Sequence, residues 1–338
     1  MSDTELSREV EDAALPIGVV DPVTVEQPST IALATRPKGK PRGGFRAMMP
    51  TMTPKLMVGL ILVAFILLLA IFGPMLVQDP TDSGNPALQP PSSEHWLGTT
   101  KLGYDVVAQL AYGARGSLQV GLIAAGIAII LSLVFGVLAG YLAGWGEDVL
   151  ALMTNIMLVI PGLPLVMVIA AFATNRSWLL VAIVLGITSW AGAAYVLRLQ
   201  TRSLRTRDYV SAARVAGEKP FRIILVEIMP NLLPLLTAQF LFAIIFAILG
   251  EAGLAYLGLG PTDGITWGTM LNQAQSGQAL GQGAWWWFVP PGLLIAMLGC
   301  GLALINFAID EIINPKLRSA PAAARSVRKA AKTKGVTA

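Results

Sequence analysis

Side chains able to make or break bonds are sparse in this sequence, and their spacing builds no catalytic set. The single histidine, His95, and the single cysteine, Cys300, exclude a His-rich metal site, a cysteine metal cluster and an intrachain disulfide. His95 reads as an ordinary loop residue, and Cys300, inside an apolar run, as a small buried hydrophobe. No Gly-x4-Gly-Lys-Ser/Thr phosphate loop, His-Glu-x-x-His pair, dinucleotide glycine fingerprint or catalytic triad is recognisable in the chain. The expectation is a protein that is not an enzyme and holds no cofactor or metal of its own. If ATP drives it, a separate polypeptide hydrolyses the nucleotide.

The elements that position the remaining polar residues are membrane spans. Hydrophobic residues make up 54% of the 338 residues and charged residues 13%, against about a quarter charged in an ordinary soluble domain. A helix needs roughly 20 apolar residues to cross the hydrocarbon layer with its backbone groups satisfied internally. Six stretches meet that requirement, near 56–77, 117–142, 149–173, 178–198, 233–257 and 287–309. The fold class expected is therefore an all-α polytopic membrane protein. Its transmembrane domain spans 55–315, between a disordered cytoplasmic tail over 1–54 and a basic tail over 316–338.

Lys and Arg set the orientation. They cluster before the first span (Arg36, Lys38, Lys40, Arg42, Arg46, Lys55), after the fourth (Arg198, Arg202, Arg205, Arg207, Arg214, Lys219, Arg222) and beyond the last. Only Lys101, Arg115 and Arg176 remain for the opposite side. By the positive-inside rule both termini and the loop over 199–232 are cytoplasmic, and the loops near 78–114 and 258–286 face outward. The acidic, apolar-poor start does not read as a cleavable signal peptide. This charge distribution needs no nucleic acid to explain it, and the C-terminal tail suits anionic lipid headgroups.

Span centres carry almost no ionisable residue. Glu251 and Asp310 lie toward span ends, and Asn155 is the notable polar residue of the third span. An ion-coupled carrier usually shows intramembrane carboxylates along its ion path, so this pattern speaks against one. Gly136, Gly140 and Gly144 recur every fourth residue, the spacing at which two helices approach closely. Pro161, Gly162 and Pro164 in "IPGLP" must bend or break the third span. Two readings of that bend stay open: the border of a pathway, or a structural kink. Trp285, Trp286 and Trp287 suit an aromatic belt, and Trp96 and Trp267 are outer-loop residues placed to touch a soluble partner.

The loop after the fourth span is polar yet helical in pattern. From Ser203 to Ala216 it carries alanines and no Gly or Pro, Gly217 interrupts it, and Pro220 opens a second helix expected to end before Pro230. Two short helices meeting at a glycine make a rigid elbow able to carry force into the spans. Arg205 and Arg207 beside it read as solvated or lipid-facing charges.

"SAARVAGEKPFRIILVEIMP" resembles the EAA loop of ABC-importer permeases, with Ala212, Ala213, Gly217 and Pro230 at matching positions. Ser211 stands where that loop has glutamate, and Met229 where it has leucine. "HWLGTTKLGYDVVAQLAYGARGSLQVG", from His95 to Gly121, is similar to the C-type permease of the oligopeptide, dipeptide and nickel branch, with Thr100 and Tyr104 in place of its usual Asp and Arg. "LGITSWAGAAYVLRLQTRSLRTRDYV", "EAGLAYLGLG" and "TWGTML" extend the likeness over about 55–315. Asn155 and Ile309 replace a usual aspartate and a common arginine.

The resemblance implies a type I ABC importer permease fold in a prokaryotic inner membrane. It implies a homologous second permease subunit, two ATPase subunits or domains that carry ATP and Mg, and an extracytoplasmic solute-binding protein. Ser211, Ala212, Ala213, Arg214, Gly217 and Pro230 would form the ATPase-coupling site. The cargo implied is an oligopeptide or dipeptide, with oligosaccharides or nickel complexes as the alternative. An ion-coupled secondary transporter and a non-transporting membrane scaffold are the more distant readings.

Overall fold

A computed structural model describes residues 53–313. The tails expected over 1–54 and 316–338 lie outside these residues, except that Thr53 and Pro54 cap and open the first helix. The described residues form helices joined by turns and loops.

Helix α1 covers Pro54–Leu76, with the Thr53 hydroxyl accepting from Leu56 N–H at its start. Helix α2 runs Val106–Tyr141, through one π turn at Leu133–Val137. It starts at Val106 rather than near residue 117 because Asp105 caps it, its carboxylate accepting from Ala108 N–H at 2.9 Å. The added turns carry Gln109 and Arg115, which depress hydropathy, yet Val106, Gln109, Ala111 and Ala114 are buried.

The third span is two helices, α3 over Trp145–Val159 and α4 over Gly162–Phe172, meeting at 79°. The bend falls at Ile160 and Pro161, as the proline spacing requires. Helix α5 runs Trp178–Arg205, beyond the residue 198 expected from hydropathy alone. A short helix, α6, covers Asp208–Val215. Helix α7 is continuous from Pro220 to Tyr256. Helix α8 covers Trp267–Ser276 and α9 covers Trp285–Ile313. Among the described residues, five helices are long and apolar enough to span a membrane, and six if the bent pair counts as one.

Helix α2 is central. On one side Ile66 of α1, Ala114 and Leu118 of α2, Ile248 of α7, Trp267 and Met270 of α8 and Leu298 of α9 share one core. Val120 and Ala124 pack on the other side with Val166 of α4 and Ala182 and Leu185 of α5. Against α5 the approach is backbone-close: a Cβ on Gly136 would lie 2.6 Å from the Ala194 carbonyl oxygen. Gly140 meets the Arg198 carbonyl at the same 2.6 Å. Gly144 does not join this seam. Its φ is +72° and a Cβ there meets nothing within 4 Å, so it serves the turn into α3.

His95 is buried, its Nδ1 2.8 Å from Asp105 Oδ2, so it braces the α2 cap instead of lying free in a loop. Cys300 is exposed on α9. Of the three tryptophans, Trp285 faces outward as a belt residue would, whereas Trp286 and Trp287 are buried. The Trp286 Nε1–H donates to the Thr99 carbonyl at 3.2 Å, tying the loop before α2 to α9. Glu251, fully buried near the end of α7, accepts from the Thr266 hydroxyl at 2.6 Å and so ties α7 to the start of α8.

Candidate functional site

The elbow between α5 and α7 is built on one apolar anchor. Helix α5 ends at Arg205, Thr206 turns the chain, and α6 begins at Asp208. Ser203, Leu204 and Arg205 thus belong to α5, not to a short helix beginning at Ser203. Val210 is fully buried among Val137, Leu197, Ile223, Ile228 and Leu232, with Ala213 packed at the edge of the same cluster. Burying one face of α6 leaves Ser211, Ala212 and Arg214 exposed on the other.

Gly217 ends α6 in a left-handed C-cap. Its φ is +82°, its N–H donates to the Arg214 carbonyl at 3.0 Å, and Glu218 N–H donates to the Ala213 carbonyl at 3.1 Å. A Cβ at Gly217 would meet nothing within 4 Å. Backbone conformation, not space, therefore demands glycine there.

The second elbow helix does not stop before Pro230. Pro220 opens α7, a π turn over Ile223–Ile228 follows, and the helix continues through Pro230 into the membrane. The wide turn lies just before the residue whose ring would crowd an ideal α-helix. Asn231 Nδ2 donates to the Glu227 carbonyl at 2.7 Å beside it. The second arm of the elbow is thus continuous with the fifth span, and the first, α6, is joined to the fourth by a two-residue turn.

Two residues that the motif did not mark stand out at the tip. Val215 is 90% exposed and Phe221 72% exposed, on either side of the Gly217 turn. These exposed apolar side chains lie beside Arg214, Lys219 and Arg222, the last of them paired with Glu218 at 2.9 Å. Only their apolar type, in a segment already read as cytoplasmic, could have signalled them.

Arg205 is not simply solvated: its guanidinium donates to the carbonyls of Tyr141, at 3.1 Å, and Leu142. Arg207 is exposed.

A half-open cavity of about 670 Å³ lies between α2, α4, α5 and α7. Its lining includes Gly162, Leu185, Thr188, Ser189, Gln239 and Phe246. The Thr188 and Ser189 hydroxyls donate to carbonyls of their own helix, Val184 at 2.9 Å and Leu185 at 2.7 Å. Of the four pathway residues proposed from sequence, Gly162 lines this space. Asn155, Pro161 and Pro164 are exposed but do not line it, so the bend shapes the cavity mainly by placing α4. Gln239 and Phe246 gave no signal in the sequence beyond lying in an apolar span.

Of the two tryptophans expected to touch a soluble partner, Trp96 is 77% exposed, whereas Trp267 is fully buried. Trp267 packs into α2 with its Nε1–H donating to the Leu110 carbonyl at 3.2 Å and its backbone N–H to Ser117 Oγ at 3.0 Å. A residue held this way cannot touch a soluble partner, and the expectation for Trp267 fails. Among the described residues no cluster of three or more His, Cys, Asp or Glu is arranged to hold a metal.

Residues 132–319 match the family model described as the binding-protein-dependent transport system inner membrane component. Residues 55–91 match the N-terminal TM domain of oligopeptide transport permease C. The dipeptide transport system permease protein DppC of Alkalihalophilus pseudofirmus is 34% identical over 266 residues, covering 78% of this chain and 86% of that protein. The oligopeptide transport system permease protein OppC of Bacillus subtilis is 31% identical over 265 residues, with coverage of 78% and 86%. Among solved structures, an inward-facing MetNI methionine ABC transporter chain aligns with TM-score 0.48 and 20% identity, covering 61% of this chain and 94% of its own. By the family match and these relatives, the chain belongs to the binding-protein-dependent transport system inner membrane components.

Proposed function

We propose that this chain is the membrane-spanning permease subunit of an ATP-driven importer of dipeptides or oligopeptides. The observation that carries the reading is the elbow: an exposed apolar tip, anchored by Val210 and continuous with α7, in a chain without a phosphate loop. The named functions of the dipeptide and oligopeptide permease relatives support the choice of cargo.

In this reading a homologous second permease completes the pathway, and the cavity beside the α3–α4 bend forms part of its wall. Two ATPase subunits or domains, which hold ATP and Mg, grip the elbows of the two permeases from the cytoplasm. Ser211, Ala212, Ala213, Arg214 and Gly217 form this chain's docking core, with Val215 and Phe221 beside them. An extracytoplasmic binding protein delivers peptide to the outer face, where Trp96 is exposed. Both termini lie on the ATPase side. Transport requires that the elbow bind the ATPase differently in its two states, since a contact of equal strength in both shifts no equilibrium.

Vesicles containing the permease pair, the ATPases and the binding protein, loaded with ATP, test the reading by uptake of a labelled dipeptide or tetrapeptide. Uptake that needs ATP and the binding protein is expected. Uptake driven by an ion gradient in vesicles holding this chain alone would replace it with a secondary carrier. Competition by an oligosaccharide or a nickel chelate, with none by peptide, would change the cargo.

A further inference from the structure

Four arginines converge on the turn between α2 and α3. Arg198 Nη2 donates to Glu147 Oε1 at 3.1 Å, and Arg202 Nη1 lies 3.5 Å from the same oxygen. Arg205 holds the carbonyls of Tyr141 and Leu142. The Arg214 guanidinium, on α6 itself, lies 5.5 Å from the centre of the Tyr141 ring.

The Glu147–Arg198 pair is the sheltered member of this set, with side-chain exposures of 12% and 18%. Glu147 sits in the first turn of α3, whose far end bends by 79° into α4. Gly162, Leu163 and Val166 of α4 line the cavity. One end of the broken span is therefore clamped to α5, a few residues before the elbow, and the other borders the proposed pathway.

We propose that Glu147 is a positioning residue for coupled transport: through Arg198 it fastens α3 to α5, so that a displaced elbow carries α3 with it and changes the angle of the bend. The inference rests on the permease reading given above. It makes α3, α5, α6 and the end of α2 that Arg205 and Arg214 hold one moving unit, and puts the compliance at Ile160–Pro161. The alternative role for Glu147 is a favourable charge at a helix N-terminus. Asp148 occupies the same first turn and, among the described residues, makes no ion pair, so it separates the two roles.

The test is peptide taken up per ATP hydrolysed by the assembled transporter in vesicles. Glu147→Gln is expected to lower that ratio about tenfold with ATPase subunits still co-purifying, Asp148→Asn to leave it at the wild-type value, and the double exchange Glu147→Arg with Arg198→Glu to restore part of it. A wild-type ratio in Glu147→Gln, or an equal loss in Asp148→Asn, overturns the clamp. A wild-type assembly that takes up no peptide overturns the permease reading and the clamp with it.

A second measurement leaves the clamp residues intact, in case Glu147→Gln fails to fold. Spin labels on the exposed positions Leu152, Leu199 and Val168, in a Cys300→Ser chain, report the α3–α5 and α3–α4 distances. The expected result on ATP binding is a constant 152–199 distance and a changed 152–168 distance. Any other pattern contradicts the clamp.

Discussion

Gly140 of α2 lies against the carbonyl oxygen of Arg198 on α5, so close that a Cβ would stand 2.6 Å away. The helix that carries the clamp arginine is thus held to the central helix by missing side chains. Gly140→Leu is expected to destabilise the detergent-purified protein by about 1–3 kcal/mol, the usual cost of overpacking. Gly126→Ala, where a Cβ meets nothing within 4 Å, is the control and should not lower the melting temperature, since alanine is the better helix former. Equal melting of Gly140→Leu and wild type would mean that the seam is not packed as described.

Trp96 and Trp267 should part in their behaviour. Trp267→Ala removes a fully buried indole and should cost about 3–5 kcal/mol. Trp267→Phe, which loses chiefly the donor to Leu110, should cost about 1 kcal/mol. Trp96→Ala should change stability by less than about 0.5 kcal/mol and, where Trp96 meets the binding protein, weaken binding-protein-stimulated ATP hydrolysis. Melting curves of the three variants decide the stability ranking.

Asp105 has two partners, Ala108 N–H at 2.9 Å and His95 Nδ1 at 2.8 Å. Asp105→Ala loses both and should cost about 1–2 kcal/mol, whereas Asp105→Asn keeps a capping oxygen and should cost less. Limited proteolysis of the loop before α2 should follow the same order. An Asn variant as labile as the Ala variant would assign the effect to the lost charge facing His95.

Gly217 separates folding from coupling. Gly217→Ala must hold an L-residue at φ +82° and should cost about 1–2 kcal/mol. Gly217→Pro also loses the N–H that donates to Arg214, and its ring fixes φ near −65°. Both chains should insert, because the spans do not depend on this turn. The proline variant should hydrolyse ATP in the assembled transporter without importing peptide. Ala213→Asp, which places a carboxylate at the edge of the Val210 cluster, should uncouple in the same way.

The spans and the break in the third were legible because their cause is local: apolar length in five helices, two prolines in the bent pair. The elbow's glycine cap was legible for the same reason, since only a left-handed turn required that residue. What hydropathy missed lies where tertiary burial replaces apolar composition. The first turns of α2 carry Gln109 and Arg115, yet their Gly113 and Ala114 pack against Trp267 of α8. Pro230 looked like a helix end because the π turn that precedes it has no sequence signature. Trp267 looked like a loop residue because the capping box at Thr266 and Thr269 uses two threonines instead of the Ser/Thr-x-x-Glu pattern. The clamp on Glu147 joins residues far apart in the chain, and no spacing rule brings Arg198 to it.

Cysteine cross-linking from the elbow tests the account most directly. In a Cys300→Ser chain, single cysteines at Val215 and Phe221, and at Leu280 in the turn between α8 and α9, are placed in the assembled transporter with a short bifunctional reagent. The account predicts cross-links to the ATPase from 215 and 221, sensitive to ATP, and none from 280. An ATPase captured elsewhere on the chain while positions 215 and 221 stay unreacted would contradict it.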